Sequence, residues 1–148
     1  MNFEEALRNE LSGIPQLTNK IFPLAATEGV KTPYLVYVSS EGVQEKYLEG
    51  YRGSKKVDCE LHILNDSYAG LKDITKQVIS TITKFQQSII GGDGGVWVQD
   101  LTYERATEQY IDQLFQYLCI VSLKVRIFED TTNPSTWSKV WNETWNKI

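Results

Sequence analysis

Residues 56–64 alternate perfectly between apolar and polar side chains. The apolar members are Val57, Cys59, Leu61 and Ile63. The polar members are Lys56, Asp58, Glu60 and His62. Because successive side chains of a strand point to opposite faces of its sheet, this pattern predicts a β-strand with one core face and one polar face.

A helix is predicted directly after this strand. Residues 65–67 break the alternation and offer a side-chain oxygen that can cap a helix. Apolar residues then recur every three or four positions, at Leu71, Ile74, Val78, Ile82 and Phe85. This spacing gives one apolar stripe facing the sheet, on a long helix predicted over residues 66–87.

The rest of the chain is predicted to complete one α+β domain. A short helix follows the capping residue Asn2 and ends before Pro15. Further strands are predicted over 34–38, 43–48, 96–103 and 114–128, with a turn over 50–54 and a loop over 105–112. We therefore expect an antiparallel or mixed sheet of about five strands, with the helices on one face. The 34–38 strand is apolar on both faces and the last strand is so at mid-length, which predicts cover on both sides.

Composition excludes several function classes. The chain has 148 residues, 41% of them apolar, and a net charge of −4 without any basic run, so direct nucleic-acid recognition is not expected. The start lacks the pattern of a signal peptide, and no apolar run approaches the ~18 residues of a membrane span. We expect a cytoplasmic protein with two buried, reduced cysteines, Cys59 and Cys119.

No residue pattern in the sequence indicates catalysis, a metal or a cofactor. His62 is the only histidine, and its neighbours on the same strand face are charged, which favours a solvent-facing or interface position. Asp58 and Glu60 lie about 6.5–7 Å apart on that face, but the lysines beside them favour a mixed-charge contact strip over paired-acid catalysis. The glycine-rich loop over 91–95 lacks the helix that a phosphate cradle needs and is interpreted as a flexible connection.

The end of the chain is rich in tryptophan. Trp137, Trp141 and Trp145 follow Pro134 at spacings of four, so a helix over 131–148 would carry them on one face. The helix could pack on its own sheet, anchor a neighbouring subunit or, least in keeping with its charge, lie on a membrane surface. We predict a domain over 1–130 and a C-terminal extension over 131–148.

The order of these elements resembles the tail-completion, or tail-terminator, proteins of long-tailed bacteriophages and prophage elements. The resemblance covers residues 3–129 and rests on a series of short motifs. They are a short N-terminal helix, the segments 21–23 and 33–37, a turn at Gly50, the alternating strand over 57–63, Ser67 and Tyr68 opening the long helix, and a last strand ending in residues 125–128. The tryptophan-rich extension goes beyond the family pattern.

The resemblance implies a non-enzymatic protein of the phage tail–head junction, assembled in the host bacterial cytoplasm. Family members form a ring, typically of six subunits, on the head-proximal end of the tail tube, halt its polymerisation and present a surface to the head connector. The implied partners are other copies of the chain, the tail tube protein and a head-completion protein. The alternatives are another neck component, such as a head-closure or adaptor protein, or a small cytosolic ligand-binding module.

Two surfaces are candidates for these contacts. Our hypothesis is that Lys56, Asp58, Glu60 and His62 line a subunit contact or the lumen of the ring. A second hypothesis is that the glycine loop, with Gly92, Asp93 and Gly94, touches the tube.

Overall fold

The structure, a computed structural model, describes residues 2–48, 50–92 and 94–128. The helices are α1 (Phe3–Leu11) and α2 (Tyr68–Thr83), with a single 3₁₀ turn at Pro15–Leu17. The strands are β1 (Ile21–Pro23), β2 (Tyr34–Ser39), β3 (Val43–Tyr47), β4 (Gly50–Asn65), β5 (Ser88–Ile90), β6 (Val96–Ile111) and β7 (Gln116–Phe128). The predicted helix over 131–148 lies outside the described residues.

All seven strands belong to one sheet. Its order is β1-β2-β4-β7-β6-β5, and β3 pairs with β4 beside β2. Only the β1–β2 pair is parallel. The predicted fold class, an α+β fold with a sheet of about five strands and one long helix, is therefore wrong. The molecule is dominated by a seven-stranded sheet, and two of its strands have only three residues.

Two segments predicted to be irregular are strand in the structure. The turn predicted over 50–54 is the first part of β4, which runs unbroken for 16 residues. The loop predicted over 105–112 is the second half of β6, and its residues up to Ile111 pair with β7. Pairing with long neighbours thus extends both strands beyond what their own residues indicate.

Neither helix is longer than predicted, and the capping residues explain where each helix begins and ends. The Asn2 side chain accepts a hydrogen bond of 2.8 Å from the Glu5 backbone N–H, as the capping pattern predicts. The Ser67 hydroxyl caps α2 in the same way through the Gly70 N–H. The helix predicted over 66–87 begins and ends inside those bounds, because Lys84 closes it and Gln87 adopts a φ of +55° that turns the chain into β5.

The core lies between one face of the sheet and the two helices. The inward residues of β4, namely Val57, Cys59, Leu61 and Ile63, are all buried, which confirms the predicted alternation. They contact a buried row of β7, which consists of Cys119, Val121, Leu123, Val125 and Ile127. The α2 stripe covers this layer with Leu71, Ile74, Val78 and Ile82. Both cysteines are buried as free thiols.

Candidate interaction surface

The opposite face of the sheet carries the polar half of the β4 pattern. Lys56, Asp58 and Glu60 are exposed there, and His62 is partly exposed. Among the described residues no helix covers this face, since α1 and α2 both pack on the other one. We call it the open face. The structure therefore brings the four predicted contact residues together on one accessible surface.

On one half of the open face, rows of charged residues run from β4 across β7 to β6. Asp58 of β4 lies opposite Lys124 of β7, and Arg126 of β7 lies opposite Asp100 of β6. One row higher, Glu60 is opposite Ser122, which in turn faces Arg105 of β6. Side chains directly opposite in antiparallel strands have Cβ atoms about 4.5–5.5 Å apart, so Asp58 attracts Lys124 and Asp100 attracts Arg126, while the like-charged Lys56 also lies opposite Arg126.

Sequence reasoning found only the β4 members of these rows. Lys124 and Arg126 had a signal of their own, because they alternate with the apolar residues Leu123, Val125 and Ile127. The β6 members carried no such signal. A bulge between Tyr103 and Arg105 shifts the alternation within β6, and such a shift cannot be read from one strand alone.

Two shallow grooves follow the charged rows. One, of about 520 Å³, is lined mainly by Lys56, Asp58, Asp100, Lys124 and Arg126. The other, of about 390 Å³, lies beside it along Glu60, Arg105 and Ser122. Both open to solvent on the open face, whereas the layer between sheet and helices is filled with buried apolar side chains. This arrangement suits contact with a second surface better than enclosure of a small ligand.

His62 marks the border between the charged rows and an apolar half of the open face. Its Nε2 atom lies 3.4 Å from a carboxylate oxygen of Glu60. On the neighbouring strands it lies opposite Val36 and Ile120. In the described part of the chain, no group of three or more histidine, cysteine or acidic side chains is arranged to hold a metal ion.

The apolar half of the open face surrounds β2. Val36, Leu64 and Leu118 are each less than 10% exposed, although no helix lies over them in the described chain. The ring of Tyr34 packs edge-on against Phe22 at 6.5 Å between centroids, and burial raises the pKa of Tyr34. The sequence predicted cover on both sides here. The burial of these three side chains agrees with that prediction.

The glycine loop lies between β5 and β6, at the strand ends. Gly92 and Gly94 are exposed with φ values of +85° and +70°, which only glycine adopts without cost. Asp93 lies outside the described residues. The loop is tied to the first helix, because a carboxylate oxygen of Glu10 accepts the Gly91 N–H at 2.9 Å. This link was not predicted.

The tryptophans Trp137, Trp141 and Trp145 also lie outside the described residues, so the structure does not place them. Their assignment to a subunit contact stays a prediction, as does the division of the chain at residue 130.

Comparisons with known proteins identify the fold. No protein-family model matches the sequence, and no curated protein matches it either. A chain from the virion of a native gene transfer agent particle is similar to it with a TM-score of 0.61, at 10% identity. That match covers 85% of this chain and 94% of the other.

A second solved structure, described only by a protein identifier, is similar with a TM-score of 0.51 at 13% identity, over 84% of this chain and 89% of that one. At such identities the likeness shows a shared fold. Within the described chain, neither helix combines the length and the apolar character that crossing a bilayer requires.

Proposed function

We propose that this chain is a structural protein of a phage-like virion, and that it acts as the tail terminator at the tail–head junction. In this role copies of the chain form a ring, of six subunits by the family resemblance, on the end of the tail tube. The ring stops tube growth and offers its outer surface to a head-completion protein. Assembly takes place in the host bacterial cytoplasm, and no cofactor is involved.

The open face is the observation that carries this proposal. It carries exposed charged residues of both signs, among them Lys56, Asp58 and Glu60, and the described helices leave these rows uncovered. Charges of this kind steer association and select partners. The fold shared with a chain of a gene transfer agent virion supports a place in a particle of that kind.

Each candidate residue has a place in the proposal. Lys56, Asp58, Glu60 and His62 line a subunit contact or the lumen of the ring. The glycine loop with Gly92, Asp93 and Gly94 touches the tube, and Trp137, Trp141 and Trp145 anchor a neighbouring subunit.

The other neck roles share most of this support. A head-closure or adaptor protein also forms rings, and the likeness to a virion chain favours it equally. The order of elements in the sequence favours the terminator. The ligand-binding module has less support, because the grooves lie open and the layer between sheet and helices is apolar.

A double charge reversal tests the role of the open face. Asp58→Lys with Glu60→Lys changes the net charge by four. Both positions are exposed, so we expect little change in the free energy of unfolding. A control with the same charge change, Asp73→Lys with Glu28→Lys, lies at exposed positions outside the charged rows. We expect the first variant to remain folded and to lose ring formation or tail joining, and the control to retain both.

The measurement is the mass of the full chain by light scattering, alone and with purified tail tubes. A ring, or a monomer that becomes a ring on tube ends, agrees with the terminator role. A wild-type monomer that ignores tubes contradicts that role and favours another neck role. Equal assembly by both charge variants contradicts the assignment of Asp58 and Glu60.

A further inference from the structure

Among the described residues, no strand lies beside the outer edge of β6 over most of its length. In the described chain, β5 pairs only with residues 96–98 of β6, so residues 99–111 pair on one side alone, with β7. The last part, residues 105–111, faces β7 without a bulge and is therefore regular. Such an edge presents a row of unpaired N–H and C=O groups that another strand can bind.

The tip of the β6–β7 hairpin beside this edge carries two exposed apolar residues. Phe115 is 76% exposed and Leu114 is 52% exposed. Phe115 also has a φ of +53°, a conformation that disfavours a bulky side chain and that glycine would adopt freely. An aromatic residue that is exposed and strained at once is poorly suited to the isolated chain, and it points to a contact.

The opposite side of the sheet has a matching edge. Strand β3 pairs with β4 and, among the described residues, with no other strand. Val43 at its start is 72% exposed, and Leu48 directly after it is entirely exposed. The other edge strand on this side, β1, has three residues and ends in Pro23, which has no N–H to donate. Strand β3 is therefore the better partner for an incoming strand.

Strand directions make the two edges compatible. Strand β3 is antiparallel to β4, β4 to β7 and β7 to β6, so β3 and β6 run in opposite directions. A second copy placed beside the first in the same orientation brings its β3 next to β6 as an antiparallel pair. Antiparallel pairing is the slightly more stable kind.

We propose that residues 105–111 of β6 pair with β3 of a second copy of this chain, with Leu114 and Phe115 as apolar anchors. The sheet then continues from subunit to subunit. The inference rests on the proposed ring for the presence of a second copy, and it adds which surfaces the copies use. Main-chain hydrogen bonds supply affinity in such strand addition, and the side chains at its end supply specificity.

The positions of the two edges predict a stagger. Strand β3 pairs with β4 up to Lys56, whereas the regular edge of β6 begins level with Glu60, through Ser122. Neighbouring copies are thus shifted along the strand direction. Closed sheets have such a shift when their strands tilt by about 35–45° to the axis, so a ring can close. Every open face then points to the same side of the ring, which places the charged rows on one continuous surface.

Two glycine substitutions test the contact. Leu24 resembles Phe115 in having a positive φ, here +61°, and in being exposed, here to 75%. It lies elsewhere in the fold, directly after β1. Both Phe115→Gly and Leu24→Gly relieve backbone strain, so both variants should keep or raise the melting temperature. We expect Phe115→Gly to weaken self-association at least tenfold in light scattering of the full chain, and Leu24→Gly to leave it unchanged.

The possible results separate the two proposals. Wild-type assembly that Phe115→Gly leaves intact overturns the strand contact and leaves the terminator ring standing. If Leu24→Gly disrupts assembly and Phe115→Gly does not, the partner edge is β1 and the inference is wrong. A wild-type chain that never assembles, even on tube ends, removes both the ring and the contact.

Hydrogen exchange provides a second test that needs no variant. Amides of residues 105–111 and of β3 should gain protection together when the wild-type chain assembles. Protection confined to other segments would overturn the pairing.

Discussion

The two faces of β4 belong to the same strand and serve different ends. On one face Leu61 and Ile63 are buried against β7 and the helices. On the other, Asp58 and Glu60 are exposed in rows of opposite charge. Because the strand is shared, a substitution on either face disturbs the same backbone and differs only in its surroundings. One face of β4 therefore stabilises the fold, and the other face is available for contacts with a partner.

The largest expected effect is on the buried face. Leu61 has no exposed surface, so Leu61→Ala removes apolar contacts and leaves a cavity that the packed layer cannot fill. We expect the free energy of unfolding to fall by about 2–5 kcal/mol, measured by urea denaturation. A loss below about 1 kcal/mol would mean that this face is not the centre of the core.

The same substitution three residues along the strand tests the other face. Leu64 is 7% exposed and lies on the open face, with Leu118 opposite it on β7. Since Leu64 keeps a little solvent contact, the cavity can relax more than at Leu61, and we expect Leu64→Ala to cost an amount near the lower end of that range, about 2 kcal/mol. Equal losses at Leu61 and Leu64 in the isolated chain would show that the open face is covered, and the comparison would fail.

The sequence predicted the buried face well and the extent of the sheet poorly. Alternation in β4 and the stripe of α2 are local patterns, and both were found with their core residues. The three-residue strands β1 and β5 are too short to show any period, which is why a sheet of about five strands was expected instead of seven.

The contact surface was harder to predict because it depends on pairing between distant segments. The second half of β6 is polar and its residues predict a loop, yet β7 holds it as a strand at the edge. An edge strand meets water along its side as well as on one face, so its residues need not alternate. By contrast, the apolar residues of β2 predicted burial on both sides of the strand, and Leu35, Val36 and Tyr37 are all buried.

The smallest effect at neutral pH concerns the thiol of Cys59, which reports how well the buried face excludes water. Burial, with smaller contributions from the charges of Glu4 and Glu60, raises the pKa of Cys59 to about 12. In the unfolded chain the thiol ionises near pH 8.5. Its contribution to stability is therefore complete below about pH 8.5 and is lost as the pH rises toward 12, because only the unfolded chain then releases the proton.

The expected slope is up to about 1.4 kcal/mol per pH unit above the unfolded pKa. Urea denaturation at pH 7, 9 and 10 should show this decline in the wild type and a shallower one in Cys59→Ala. The pKa values of Tyr34, Tyr37 and Cys119 are raised as well, so only the difference between the two proteins isolates Cys59. Parallel slopes would contradict the prediction.

A thiol on the other face completes the test. Ser122 lies on the open face opposite Glu60, one position from the buried Leu123. In Ser122→Cys the new thiol should react with a disulfide reagent in the folded chain, whereas Cys59 should react only on unfolding. If copies of the chain or a tube cover the open face, assembly should slow the reaction at position 122. A new thiol as unreactive as Cys59 in the monomer would instead mean that both faces of β4 are closed to water, and that the contact surface must lie elsewhere.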